Sequence, residues 1–190
     1  MNLLRNVVPL KNSTRSIWGS LNAIFNRVSK SRIDLVGPDR ACAEWLMRNG
    51  AFVRWKGQPG LVSHYNFLPL DPEDKNPYFI EEISAVEASI SHHGFDHFKG
   101  CNCILKIQFQ KCWYLDDTCL KKLELLANSL IHLEIDQCTE ITNQGLLHIT
   151  SLSNLLTLKL GHLDGVKNLQ ESVKQINAKL PNCHIMPPSL

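Results

Sequence analysis

Apolar residues recur at fixed intervals in the second half of the chain. Ile107, Phe109 and Cys112 are each followed 26 residues later by another apolar residue, and 25 residues after that by a third. The second and third sets are Leu133, Ile135 and Cys138, then Leu158, Leu160 and Leu163. A weaker copy lies 24 residues before the first set: Ile83, Ala85 and Ala88. Self-similarity at such a period is typical of repeat proteins built from stacked units.

Each unit predicts a short strand that is followed by a helix. Alternate apolar residues of the strand point inward. The third position of each set is Cys112 in the first unit and Cys138 in the second, and we call these two residues the Cys column. Its small buried side chains lie where the chain turns from the strand into the returning helix. One unit cannot bury its own apolar face, so neighbouring units stack. Residues 80–190 therefore predict an α/β fold, a short leucine-rich-repeat solenoid of about four repeats with a parallel sheet and helices.

Polar residues alternate with the buried columns and are expected on the concave side of the predicted sheet. We call this set the sheet face; it consists of Lys106, Gln108, His132, Glu134, Asp136, Thr157 and Lys159. Its mixed polarity favours a protein partner over an apolar ligand.

Residues 17–79 predict a helical N-terminal capping domain with a loop. Apolar spacing indicates an amphipathic helix over residues 17–29. Its apolar side contains Trp18, Leu21, Ile24, Phe25 and Val28, and its polar side contains Asn22, Asn26 and Arg27. The apolar side is expected either to pack on the domain behind it or to dock on a partner or a membrane surface.

A second helix is predicted to start at Pro38-Asp39, because proline suits the first turn and an acid complements the helix dipole. Its buried side is predicted to contain Ala41, Trp45 and Leu46. Asn49-Gly50 ends this helix, residues 51–55 form a strand, and residues 56–79 form a long exposed connection rich in Pro and Gly.

The charge pattern changes the picture at the N-terminus. The net charge of +2 is too small for a protein held on nucleic acid by phosphate contacts. Residues 1–16 carry Arg5, Lys11 and Arg15 without an acid, which predicts a mitochondrial presequence or, alternatively, a disordered basic end. No apolar run is long enough to span a membrane, so any membrane association is expected to be peripheral.

Candidate chemistry does not indicate an enzyme. The sequence contains no phosphate-binding glycine loop, nucleophile elbow or zinc-protease helix. Asp116-Asp117 is explained as a helix N-terminus. The spacing of the His and Cys residues between His92 and Cys103 matches no standard zinc motif. Cys112 and Cys138 are predicted to be core positions, and the remaining question is whether Cys112 is also a reactive thiol.

Several motifs outside the repeat resemble those of the coupling factor B family, the mitochondrial ATP synthase subunit s. They are Trp18-Gly19-x-Leu21-Asn22-Ala23-x-Phe25-Asn26, Val36-Gly37-Pro38-Asp39-Arg40-Ala41, Glu44-Trp45-Leu46, Gly50-Ala51-x-Val53-Arg54, Tyr65-Asn66-x-Leu68-Pro69, Gly94-Phe95-Asp96-His97 and Lys111-Cys112-x-Tyr114. The resemblance covers nearly the whole chain beyond residue 16.

The resemblance implies a non-enzymatic coupling factor at the matrix side of the mitochondrial inner membrane. Such a protein associates peripherally with the membrane sector of ATP synthase, supports energy coupling and limits proton leak. A relative within the broader family implies the alternative function, an assembly factor for the membrane arm of respiratory complex I.

Two features implied by the resemblance are only partly present. The family's reactive dithiol is a Cys-Lys-Cys pair, whereas this chain has Gln110-Lys111-Cys112. The family's magnesium ion lies near the equivalents of Gly50 and Val86, and Val86 replaces a threonine. Backbone carbonyls at both positions remain candidate Mg²⁺ ligands; the alternative is that Gly50 only ends a helix.

Overall fold

Within residues 19–186, which the computed structural model describes, six strands form one sheet. They are β1 (Phe52–Trp55), β2 (Ile80–Val86), β3 (Lys106–Gln110), β4 (His132–Asp136), β5 (Thr157–Leu160) and β6 (His184–Met186), in that order across the sheet. β1 pairs with β2 in antiparallel orientation, and β2 to β6 are parallel. The predicted α/β class is confirmed.

The strand register reproduces the period of the sequence. One column of paired residues consists of Ile83, Ile107, Leu133, Leu158 and Ile185, and the next of Ala85, Phe109, Ile135 and Leu160. All of them except the half-buried Ile185 are buried. The weaker copy at Ile83 is therefore in register with the others. A fully buried aliphatic side chain contributes roughly 2 kcal/mol, so these columns stabilise the sheet substantially.

Three helices cover the other side of the units: α4 (Asp117–Lys122), α5 (Asn143–His148) and α6 (Leu169–Lys179). Each begins at a side-chain cap. The Asp116 carboxylate accepts a hydrogen bond from the backbone N–H of Cys119 at 2.9 Å, and Thr142 and Asn168 cap α5 and α6 in the same way. The predicted role of Asp116 at a helix N-terminus is confirmed. The interpretation of these strand–helix units as leucine-rich repeats stays a prediction.

The segment before β1 contains α1, of which residues 19–25 are described, α2 (Lys30–Val36) and α3 (Pro38–Arg48). The second predicted helix is confirmed as α3, since Ala41, Trp45 and Leu46 are buried. Gly50 follows it with φ of +87°, a conformation that glycine adopts without strain.

The predicted helix over residues 17–29 is wrong in its length and in the side that it buries. Helix α1 ends at residue 25, and α2, which sequence analysis missed, starts at Lys30. Leu21, Ile24 and Phe25 are 37%, 66% and 63% exposed. The asparagines of the polar side are buried instead, because their side chains hydrogen bond to neighbouring backbone. Of the two alternatives for the apolar side, packing inward is thus excluded for these three residues; Trp18 lies outside the described residues.

The predicted connection over residues 56–79 is mostly exposed and contains one 3-10 turn, Tyr65–Phe67. Leu68 is its buried exception. Arg40 of α3 donates hydrogen bonds to the carbonyl oxygens of Pro69, Asp71 and Asp74 at 3.1 to 3.2 Å. These contacts attach the connection to the helix.

Buried residues from α3, β1 and the parallel strands belong to one hydrophobic cluster. The division between residues 79 and 80 stays a prediction, and the presequence predicted at residues 1–16 lies outside the described residues. No helix within residues 19–186 is both long and apolar enough to cross a membrane.

Candidate functional site

The sheet face lies on the outward side of β3, β4 and β5, as the alternation predicts. Strands β3 and β4 show the same sequence of burial, with exposed or half-buried polar residues between buried apolar ones. The pairing aligns Lys106 with His132 and His132 with Thr157, and aligns Gln108 with Glu134 and Glu134 with Lys159. The polar residues therefore form rows that cross the strands.

Oppositely charged neighbours are paired within these rows. The Glu82 carboxylate lies 3.0 Å from the Arg54 guanidinium and 2.7 Å from the Lys106 ammonium. Burial alone would raise the pKa of Glu82, but the hydrogen bonds from Lys106 and Arg54 outweigh it and lower that pKa. Lys159 lies 2.8 Å from Glu134, and this hydrogen bond raises the pKa of Lys159. The sheet face thus contains one internal ion pair, Glu134 with Lys159, and its Lys106 pairs with Glu82 on the neighbouring strand β2.

A depression of about 360 Å³ occupies the centre of the sheet face. It is lined by Lys106, Ile107, His132, Leu133, Glu134, Thr157, Lys159 and Met186. Gln108 and Asp136 are outside this lining; Asp136 instead accepts hydrogen bonds from Gln110 at 3.1 Å and from the His162 backbone at 2.9 Å. The structure therefore brings most, but not all, of the predicted residues together around one depression.

A second cleft, of about 420 Å³, lies between α1 and the end of α3. Gly50, Glu87 and Arg48 contribute to its lining. Gly50 lies close to the loop that follows β2, since a Cβ atom at Gly50 would be 3.7 Å from Ala88 Cα. Val86, the last residue of β2, is 41% exposed. The two predicted metal positions thus flank the junction of α3 and β2.

No protein-family model matches this chain. The Bos taurus and Homo sapiens proteins named "ATP synthase subunit s, mitochondrial" are each 40% identical to the chain over 181 residues, which cover 94% of this chain and 90% of the relative. The Rattus norvegicus protein of the same name is 36% identical over the same shares.

The chain belongs to the mitochondrial ATP synthase subunit s family. The resemblance in the N-terminal motifs is thereby confirmed. In this member of the subunit s family, Gln110 stands where the resemblance implies the first thiol of the dithiol pair. Its side chain faces outward and donates a hydrogen bond to Asp136.

The Cys112 thiol is fully buried, as predicted for the Cys column. Its pKa lies below the usual value, chiefly because the Cys138 side chain hydrogen bonds to it, while burial acts in the opposite direction. The pKa of Cys138 is raised by the same contact and by burial. The Cys112 thiol itself donates hydrogen bonds to the backbone carbonyl oxygens of Ala85 at 3.3 Å and Gln110 at 3.6 Å. The reactivity of Cys112 stays a prediction.

The side chains at the Gly50 cleft do not by themselves form a site for Mg²⁺. Glu87 supplies a carboxylate, which lies 3.4 Å from the Lys111 ammonium, and the cationic Arg48 lines the same cleft. No group of three or more His, Cys, Asp or Glu side chains in residues 19–186 is arranged to hold a metal. A cation near Gly50 and Val86 would depend on backbone carbonyls and water, and that prediction stays open to test.

The polar contacts that hold α1 in place were not predicted from the sequence. Asn26 is fully buried, and its side chain hydrogen bonds to Trp45, Ser91, Ser89, Asn22 and Asn49. Asparagine is usually exposed, so apolar periodicity gives no sign of this burial. The sequence feature that could have indicated this burial is the four-residue spacing of Asn22 and Asn26, which places both side chains on one side of a helix.

Proposed function

We propose that this chain is a non-catalytic subunit that associates with the membrane sector of mitochondrial ATP synthase, supports energy coupling and limits proton leak. The observation that carries the proposal is the 40% identity over 94% of the chain to proteins named as mitochondrial ATP synthase subunit s. The chain acts by binding, through surfaces described above, and carries out no chemical step.

In this proposal the strand–helix units are leucine-rich repeats. Support comes from the shared register of Ile83, Ile107, Leu133 and Leu158 and from the buried column at Cys112 and Cys138. Stacked units of this kind present an extended binding surface on the sheet side. The preceding residues 17–79 act as the cap that shields the first unit.

The partner binds on the sheet face. Three of its four charged side chains are already ion-paired, Lys159 with Glu134 and Lys106 with Glu82 of β2, and Asp136 forms no ion pair within residues 19–186. A partner that displaces water therefore meets mostly compensated charges. The partner must match the order of these charges across the strands, because like charges brought together oppose binding. Thr157 and His132 supply further polar contacts beside the pairs.

The location belongs to the same proposal. Residues 1–16 direct the chain into mitochondria as a cleaved presequence, and the mature chain lies at the matrix side of the inner membrane as a peripheral protein. The exposed apolar residues Leu21, Ile24 and Phe25 support a peripheral contact. Mg²⁺ held at the carbonyls of Gly50 and Val86 would fasten α3 to β2.

The direct test is native separation of gently solubilised mitochondrial membranes that contain the tagged chain. We expect the chain to migrate with ATP synthase, and its depletion to increase oligomycin-sensitive proton leak. Migration with complex I assembly intermediates, with complex I lowered and proton leak unchanged upon depletion, would instead establish the alternative function.

A charge exchange distinguishes recognition from folding. Glu134→Lys alone breaks the pair with Lys159, whereas Glu134→Lys with Lys159→Glu restores an ion pair of reversed order. If a partner recognises the order of charges, both variants leave the complex although the double variant recovers stability. Lys121→Glu, an exposed change on α4, is the matched control and should remain bound.

A further inference from the structure

A groove of about 330 Å³ lies next to the ends of β2 and β3, separate from the sheet face. We call it the edge groove and define it by six lining residues: Ser91, His92, Trp113, Tyr114, Asp116 and Glu140. They come from loops that follow β2, β3 and β4. Gly19 and Asn22 of α1 also line the groove. Side chains from three consecutive units therefore converge next to α1.

The charged side chains that line the edge groove are acidic. Asp116 and Glu140 supply carboxylates, and neither Lys nor Arg from residues 19–186 contributes to the lining. Glu140 is exposed and forms no ion pair within residues 19–186. A carboxylate without a partner beside a second carboxylate attracts a cationic group.

His92 lies against one of these carboxylates. Its Nδ1 atom is 2.9 Å from the Asp116 carboxylate. Burial, and then the nearby His92, lower the pKa of the neighbouring His93. His93 therefore brings no positive charge to the groove at neutral pH.

The Ser91 hydroxyl lacks a hydrogen-bond partner. Ser91 is only 4% exposed, and its Oγ atom has no partner among the described residues. A buried polar atom left unpaired is costly and uncommon in folded proteins. A donor that enters the groove would complete this site, since a hydroxyl can rotate to accept a hydrogen bond.

Two aromatic rings border the groove. Trp113 is 59% exposed and Tyr114 is 37% exposed. A large exposed tryptophan next to acidic side chains is suited to a cation that stacks on its ring. Tryptophan and arginine are also the residues that most often dominate the binding energy of protein interfaces.

We propose that the edge groove binds the guanidinium group of an arginine side chain on a partner protein. A guanidinium offers five N–H donors in a fixed plane, which match the acceptors on Glu140, Asp116 and Ser91 while the plane stacks on Trp113. A lysine ammonium has fewer donors and no flat face. This inference does not depend on the sheet face or on which complex the chain joins.

The test follows the indole N–H signal of Trp113 by NMR in the full chain, with Trp113→Phe used to assign it. The titrant is N-acetyl-L-arginine amide, and its neutral citrulline analogue is the control ligand. We expect a saturable shift with a Kd of about 1–5 mM for the arginine compound and no saturation with citrulline. The Trp55 indole of β1, which is buried and does not line the groove, should not shift, and it reports that the fold is intact.

Glu140→Gln should weaken binding about fivefold, since a charge-assisted hydrogen bond becomes a neutral one. Glu124→Gln, a change to an exposed acid that does not line the groove, should leave binding unchanged. The proposal is overturned if the Trp113 signal does not saturate by about 20 mM, or if citrulline binds equally well.

Discussion

The carboxamide oxygen of Asn26 accepts hydrogen bonds from the indole nitrogen of Trp45 and from the backbone nitrogen of Ser91, both at 3.0 Å. Through this one atom, the segment after α1 is joined to α3 and to the loop that follows β2. Trp45 in turn stacks on His97 with ring centroids 5.3 Å apart. A buried polar group therefore connects the N-terminal helices to the first strand–helix unit.

Asn26→Ala should destabilise the protein strongly. The change leaves the Trp45 and Ser91 donors buried without an acceptor, and each such loss costs roughly 1–3 kcal/mol. We expect the free energy of unfolding in urea to fall by about 3 kcal/mol. Asn102→Ala, at an exposed position, should change it by less than about 0.5 kcal/mol. Equal stability of the two variants would mean that this hydrogen-bond network is not important for folding.

Gly145→Ala should destabilise α5 even though alanine is the better helix former. A Cβ atom at Gly145 would lie 2.0 Å from the Asp117 carboxylate, which accepts hydrogen bonds from Thr142 at 2.6 and 2.8 Å. Alanine would gain about 1 kcal/mol from helix propensity. The clash outweighs that gain, and we expect a net loss of about 1–3 kcal/mol.

Thermal unfolding provides the measurement. Gly60→Ala is the matched control, because nothing lies within 4 Å of a Cβ atom there. If Gly145→Ala raises the melting temperature, the close contact between neighbouring helices is absent in solution.

Asp39→Asn should change how stability depends on pH. Burial raises the pKa of Asp39 from 3.8 to about 6, although the carboxylate accepts a hydrogen bond from the Ile80 backbone. The folded state thus binds this proton more tightly than the unfolded state does. The contribution of Asp39 to stability is fully present below pH 3.8 and is lost as the pH rises to about 6.

The difference in free energy of unfolding between Asp39→Asn and the natural protein is the quantity to measure. It should shift in favour of the variant by about 2–3 kcal/mol between pH 4 and pH 7, since one pKa unit corresponds to about 1.4 kcal/mol. A difference that stays constant over this range would show that Asp39 titrates normally in the folded protein.

Phe25→Ser tests the exposed side of α1. Phe25 is 63% exposed, so its removal should change the free energy of unfolding by less than about 0.5 kcal/mol. If this side docks at the membrane, the same variant should be released when mitochondrial membranes are washed. Stability that falls with membrane binding would mean that Phe25 packs inward.

The repeat could be predicted from the sequence because its physical cause is periodic. Ile107, Leu133 and Leu158 occupy equivalent positions of successive strands, and hydrophobic burial requires an apolar residue at each. The outward residues of the sheet face follow from the same alternation. What alternation does not determine is which outward residues meet, and the separation of Asp136 from the central depression became visible only in the fold.

The N-terminal helices could not be predicted equally well. Apolar spacing placed Leu21 and Phe25 on the side expected to be buried, but specific hydrogen bonds from Asn22 and Asn26 decide the orientation of α1. Such bonds form between residues far apart in the chain, as between Asn22 and Ser89. The edge groove was missed for a related reason, since its side chains converge only after the units stack.

Site-specific photocrosslinking in intact mitochondria tests the central claim most directly. A photoreactive residue at Thr157 lies in the depression of the sheet face, whereas one at Gln175 lies exposed on α6. We predict that crosslinks from Thr157 contain membrane-sector subunits of ATP synthase and that those from Gln175 do not. Adducts from Thr157 that contain only subunits of another complex, or the same adducts from both positions, would contradict the account.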